Sequence, residues 1–255
     1  MIKFFFYDKI IAKKGFDLVI AIYNIKGGVG KTSTTINLAF NASKKYKTLV
    51  WDLDPQGAST FYLEKKVKDK NLIKKAQKKG LAKFIQPTKL KNISLIPADL
   101  SLKDIYFEDD KTFKKLLKDI KKEFDFIFID SPPTLSSISQ NIFKASDVIL
   151  IPTIPTILSV RTYNQIVNYF KDYTKNRYIF TFLSMVDKRK KMHLEISKKI
   201  LNLPKKQILK TPIYNSTLVE KMGEHLMPVE LFAPHSESAK SYKNLWQEIL
   251  EKIQF

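Results

Sequence analysis

The sequence predicts an α/β fold, a mostly parallel twisted sheet with helices on both faces. Three observations predict it. Apolar runs at 18–25, 48–52, 124–130, 148–152 and 178–185 are nearly unbroken, as strands covered on both faces require. Helical patterns separate them at 30–44, 111–122 and 157–172, the alternation expected of βαβ units. The first run passes directly into a glycine-rich turn and then an amphipathic stretch, so strand, turn and helix follow without a spacer.

Taken in order, residues 1–16 read as an N-terminal extension of unlegible role. Their apolar run is too short for a secretory segment or a membrane span. The strand at 48–52 ends in Asp52-Leu53-Asp54-Pro55-Gln56-Gly57, and strand alternation sends Asp52 and Asp54 to the same side. Residues 61–91 are rich in lysine, with helical candidates at 68–79 and 81–86, and a strand near 93–97 follows. In the helix at 111–122, Phe113, Leu116, Leu117 and Ile120 recur at helical spacing. A closing helix at 238–253 carries Tyr242, Leu245, Trp246, Ile249 and Ile253 on one face. Without repeats, linkers or low-complexity blocks, the 255 residues read as one domain, 1–255.

The chemistry starts at Lys26-Gly27-Gly28-Val29-Gly30-Lys31-Thr32. Glycines 27, 28 and 30 allow the backbone to turn its N–H groups inward as a nest for phosphate oxygens. The following helix adds its positive end, Lys31 reaches the outer phosphates, and the Thr32 hydroxyl suits Mg2+. The general pattern G-x-x-x-x-G-K-[ST] is not met, because Ile25 stands where its first glycine belongs. A further acid, Asp130, ends the buried run Phe124-Asp125-Phe126-Ile127-Phe128-Ile129, the arrangement in which a carboxylate holds a Mg2+-bound water. Together these features predict a P-loop NTPase.

The variant loop K-G-G-x-G-K-[ST], the D-x-D-P-Q-G stretch at 52–57 and the D-x-P-P element at 130–133 resemble the ParA/MinD family of ATPases over about residues 18–253. The resemblance implies that ATP and Mg2+ bind, with Lys26, Gly27, Gly28, Val29, Gly30, Lys31, Thr32 and Ser33 on the nucleotide. It implies catalytic roles for Lys26, Lys31 and Asp54, with Asp54 orienting the attacking water. Thr32, Asp52 and Asp130 form the implied metal shell. Lys26 is implied to cross to the nucleotide of a second copy, so that the active species is an ATP-dependent homodimer. The segment around Met185 and Asp187, and the Pro212 loop opposite, are implied to flank the adenine. At 154–161 the chain departs from the family, having Ile-Pro-Thr-Ile-Leu-Ser-Val-Arg in place of an acidic or glutamine-containing loop.

The formal net charge is +20, and only three of the 45 basic residues are arginine. Such a surface attracts phosphate backbones or anionic membranes without reading sequence. Lys188, Arg189, Lys190, Lys191, Lys205, Lys206 and Lys210 are the candidate contacts to double-stranded DNA. The absence of cysteine excludes disulfides, thiolate metal sites and iron–sulfur clusters. Histidines 193, 225 and 235 have no metal-type spacing. The expected activity is ATP-driven partition of plasmid or chromosomal DNA, stimulated by a ParB-like adaptor protein, in the cytoplasm on the nucleoid. The alternatives are a MinD-like positioning ATPase at a membrane and a relative that positions a protein cargo. The first alternative needs a basic amphipathic tail beyond the core, and 248–255 instead reads as the end of the closing helix, so no stable membrane association is expected.

Overall fold

A computed structural model describes residues 16–65, 71–101, 112–170, 177–202 and 207–254; apart from Phe16, the N-terminal extension lies outside them, as do Lys205 and Lys206. In chain order the elements are β1 (Leu18–Ile22), α1 (Lys31–Ser43), β2 (Thr48–Asp52), α2 (Ala58–Tyr62), α3 (Leu72–Lys79), β3 (Gln86–Pro87), β4 (Ile93–Ile96), α4 (Thr112–Ile120), β5 (Phe126–Asp130), α5 (Ser137–Ala145), β6 (Val148–Thr153), α6 (Ile157–Tyr169), β7 (Tyr178–Leu183), α7 (Lys191–Leu201), three one-turn helices α8 (Thr217–Glu220), α9 (Met222–His225) and α10 (Val229–Phe232), and α11 (Glu237–Gln254).

The strands form one sheet in the order β3-β4-β2-β5-β1-β6-β7. All neighbours run parallel except the short edge strand β3, which is antiparallel to β4. Because β1 feeds β2 on one side while β5 feeds β6 on the other, the order reverses around the centre, and ligands of such sheets bind beyond the carboxyl ends there. Register sets the level of the site. Asp52 of β2 and Ile22 of β1 both stand opposite Asp130 of β5, so two acids end side by side.

Alternating side chains of the central strands supply both faces. Ile20, Ile22, Val50, Phe126 and Phe128 pack under α1 and α11, where the Trp246 ring meets Phe126 edge-on at 5.0 Å. Val19, Ala21, Leu49, Trp51, Ile127 and Ile129 pack under α3, α4 and α5, with Trp51 stacked on Phe113 at 5.1 Å. A third cluster under α6 stacks Phe143 on Phe170 at 3.6 Å beside Tyr23. Double coverage is the physical reason the strands read as unbroken apolar runs.

The first strand stops at Ile22, three residues before the expected end, because the chain from Asn24 onward turns into the glycine loop. The expected helix at 68–79 is seen from Leu72, and 81–86 is a 3-10 turn over 81–84 followed by β3. Helices α5 and α7 are additions to the expected set. Among the described residues no helix is long and apolar enough to cross a membrane.

Leu245, fully buried between α1 and the sheet, tests the coverage by α11. Leu245→Ala should cost about 3 kcal/mol, seen as a lowered urea midpoint with an unchanged m-value.

Candidate active site

The loop after β1 is held from both sides. Asn24 donates from its amide nitrogen to the carbonyl of Pro152 in β6 at 2.8 Å, and its side-chain oxygen accepts the Lys26 N–H at 2.9 Å. On the other side Ser184, just past β7, donates to the carbonyl of Val29 at 2.9 Å. Gly28 and Gly30 take left-handed conformations, at φ 67° and 85°. A Cβ on Gly30 would also stand 3.1 Å from the Ser184 hydroxyl. Helix α1 starts with Gly30 as its cap, no side-chain cap and no acid in its first turn. Its first N–H groups therefore stay available to an anion.

Lys31 is buried and its ammonium donates back to the carbonyl of Lys26 at 3.3 Å. Burial pushes its pKa down, while the charges of Asp130 and Asp54 pull it back up. Lys26 is exposed and lies outside the lining of its own cavity.

Asp52 and Asp130 are completely buried. One oxygen of Asp52 accepts both the Thr60 N–H at 2.8 Å and the Thr60 hydroxyl at 2.7 Å, and the other accepts the Asp54 N–H at 3.2 Å. Asp52 is thus spent on holding the turn after β2, and of the expected metal shell only Thr32 lies in the cavity lining; Asp52 and Asp130 are both buried behind it. Asp130 accepts the Ser59 hydroxyl on Oδ2 at 2.7 Å, whereas its Oδ1 is buried without a hydrogen-bond partner. Burial raises both carboxyls, Asp52 to about 8 with help from the charge of Asp130. Asp130 is raised to about 6, because Ser59, Thr32 and Lys31 offset part of the burial cost. Asp54 is half-buried, lines the cavity and caps its own turn by accepting the Gln56 N–H at 2.9 Å.

Next to these acids lies a cavity of about 500 Å³ whose lining includes Gly27, Gly28, Gly30, Lys31, Thr32, Ser33 and Asp54. Its far wall joins Met185, itself left-handed at φ 54°, to Ile213, Tyr214, Asn215 and Ser216. The two segments are tied by the Val186 N–H to the Ile213 carbonyl and the Asn215 N–H to the Val186 carbonyl, both at 3.0 Å. Met185 is therefore in the cavity wall, but Asp187 and Pro212 are not. Arg189 takes both oxygens of Asp187 at 3.0 Å, which holds that carboxyl down to about 2, and Ile213 occupies the lining position next to Pro212.

The expected DNA cluster is also less free than its charge suggests. Lys188 pairs with Glu237 and lies 4.0 Å over the ring of Tyr214, Arg189 is engaged by Asp187, and the Lys210 ammonium donates to the Leu201 carbonyl. Lys190 and Lys191 remain exposed, the latter 4.0 Å from Glu195. Asn24, Ser59, Thr60, Ser184 and Tyr214 are site residues that sequence reasoning missed. The signal for Ser59 and Thr60 was their place two and three residues past Gly57.

An open parallel sheet with a left-handed glycine loop feeding an uncapped helix, and acids at adjacent strand ends, defines a P-loop nucleotide-binding protein. A family model described as AAA domain matches residues 17–182. Soj of Bacillus subtilis, a sporulation initiation inhibitor protein, is 29% identical over 249 residues, covering 91% of this chain and 97% of that one. The chromosome-partitioning ATPase Soj of Treponema pallidum is 28% identical, with 91% and 97% covered. A plasmid partition protein of Borrelia burgdorferi, solved with AMPPNP, superposes with a TM-score of 0.79 at 25% identity, covering 92% of this chain and 99% of that one. The chain belongs to the family of that model and is a ParA/MinD-family P-loop ATPase.

Both raised carboxyls stabilise the fold while protonated, and that contribution is lost as pH rises from the ordinary carboxylate range, about 4, toward about 8 for Asp52. In urea titrations without divalent metal, the stability of Asp52→Asn relative to the parent should rise between pH 5 and 8. A constant difference across that range would mean that Asp52 is ionised throughout.

Proposed function

We propose that the protein is a Mg2+-dependent ATPase whose ATP-bound form is a sandwich dimer that holds DNA without sequence preference and lets go after hydrolysis. Partition of plasmid or chromosomal DNA is the process it serves, in the cytoplasm on the nucleoid, with a ParB-like adaptor as stimulator. The carrying observation is the placement of the two loop lysines. Lys31 is buried within its own cavity, while Lys26, five residues earlier, is exposed outside it and available to a second copy.

The residues present fit Mg2+. Mg2+ is ordinarily bound by one or two protein groups together with water and substrate phosphates rather than by an all-protein cage, and Thr32 beside Asp130 suits that pattern. Thr32 would hold it directly and the unpartnered Oδ1 of Asp130 through water. When bound, the ion neutralises charge developing on the transferred phosphoryl group. Lys31 and the loop amides hold the phosphates, and Asp54 orients the attacking water from the cavity rim. Lys26 of the second copy adds positive charge at the transition state.

For DNA the support is electrostatic. The excess of lysine is not uniform: α3 and α4 together carry seven lysines and one aspartate, whereas α11, of similar length, carries three lysines and three glutamates. With Lys190 and Lys191 exposed as well, a phosphate backbone has cationic surface to follow.

Lys31→Ala should abolish nucleotide binding by calorimetry. Lys26→Ala should keep most of the ATP affinity and lose roughly 10³-fold or more in hydrolysis, as arginine-finger losses do. Asp54→Ala should accumulate ATP-bound dimers by light scattering. An Asp54→Ala protein that stays monomeric in ATP argues against the assigned role. In gel shifts with unrelated duplexes, binding should require ATP and fall steeply with salt. Equal binding with and without nucleotide contradicts the switch, and ATP-dependent flotation with anionic liposomes in place of DNA binding points to membrane positioning.

A further inference from the structure

Ser59 and Thr60 are adjacent residues of α2, and each spends its hydroxyl on a different buried acid. Thr60 grips Asp52 through both its N–H and its hydroxyl, and that hydroxyl in turn accepts the Ala98 N–H at 2.8 Å. The turn bearing Ser59 is thereby fixed to the end of β2 and to the segment following β4. From there the Ser59 hydroxyl reaches Oδ2 of Asp130 at 2.7 Å, in a fully buried contact.

A carboxylate has two equivalent oxygens, and rotation about its last torsion exchanges them. Ser59 breaks that equivalence. Oδ2 is occupied, while Oδ1 is left with no partner although its residue is completely buried. A buried acceptor without a donor loses its water and gains nothing in return, so a fold that keeps one orients it for something. Thr32 and Lys31, which both line the cavity, each favour the ionised form of Asp130.

We propose that Ser59 is a positioning residue for the metal site: by holding Oδ2 it directs the free Oδ1 of Asp130 to the water of the divalent cation, and so sets cation affinity. This rests on the reading of Thr32 and Asp130 as the groups facing Mg2+. Partners of this kind, which touch a ligand rather than the metal, typically change metal affinity 10–100-fold when removed.

The experiment titrates Mn2+, an oxygen-ligated substitute for Mg2+, into the full-length protein with saturating ADP and follows free Mn2+ by its paramagnetic resonance signal. ADP affinity is measured in parallel in EDTA. Ser59→Ala should weaken Mn2+ binding by about tenfold or more with the metal-free ADP affinity unchanged, and Ser59→Thr, which keeps the hydroxyl, should restore it. Asp130→Asn should lose Mn2+ binding more severely. Normal Mn2+ affinity in Ser59→Ala, beside a clear loss in Asp130→Asn, overturns the role of Ser59 and leaves the site reading intact. Normal affinity in both overturns both. Equal losses of metal and metal-free ADP binding in Ser59→Ala, unrescued by threonine, would show that the residue only supports the fold.

Discussion

Backbone N–H groups that are to face a ligand must not pair with one another, and a stretch of chain denied its own hydrogen bonds needs holding by something else. In residues 26–30 the hold comes from the two strands on one side of β1. Asn24 ties the loop's first residue to Pro152 at the end of β6, and Ser184 past β7 ties down its fourth. Left-handed Gly28 and Gly30 supply the curvature, and α1 leaves the loop uncapped. Remove the anchors and the glycines become a source of entropy rather than of geometry. The sheet order that seats β1 between β5 and β6 is therefore part of the phosphate site.

The opposite side of β1 supplies the acids. Parallel register places Asp52 and Asp130 at one level, and burying two carboxyls so close is costly unless each is hydrogen-bonded. One short helix, α2, answers both needs with consecutive hydroxyls. The result is asymmetric: Asp52 is satisfied within the protein, whereas Asp130 keeps one oxygen in reserve. Identical residue types at matching strand ends thus end in different states, one with both oxygens hydrogen-bonded and one with a single oxygen engaged.

How far the sequence could be read follows from how local each cause is. The strands and the glycine loop were legible because unbroken apolar runs and closely spaced glycines act within a few residues. Helix α5 was not, since Ser-Ile-Ser-Gln-Asn-Ile-Phe-Lys-Ala offers only a few large apolar side chains among polar ones. Helix α7 was masked by its own lysines, which read as a cationic run, although His193 and Ser197 are buried on its inner side. The anchors of the loop lie 128 and 155 residues away in sequence, beyond any local pattern. The same holds for Glu237, which takes up Lys188 from a distance of 49 residues. On the far wall of the cavity both segments and Met185 were located, but not the residues of the second segment: strand-like pairing of Val186 with Tyr214 brings Ile213 and Tyr214 into the lining and leaves Asp187 to Arg189.

The packing of α11 on α1 has a consequence for how the molecule comes into being. Ile36, Leu38, Ala39 and Ala42 share one apolar cluster with Tyr242, Leu245, Trp246, Ile249 and Ile253, some two hundred residues downstream. During translation the helix that receives the phosphates is thus left with an uncovered greasy flank until nearly everything else has emerged from the ribosome. Contacts of such long sequence separation form late and slowly. A growing chain of this protein has every strand of its sheet before it has the helix that covers this flank of α1, and apolar surface exposed through such an interval is where chains of this size are prone to stick to their neighbours.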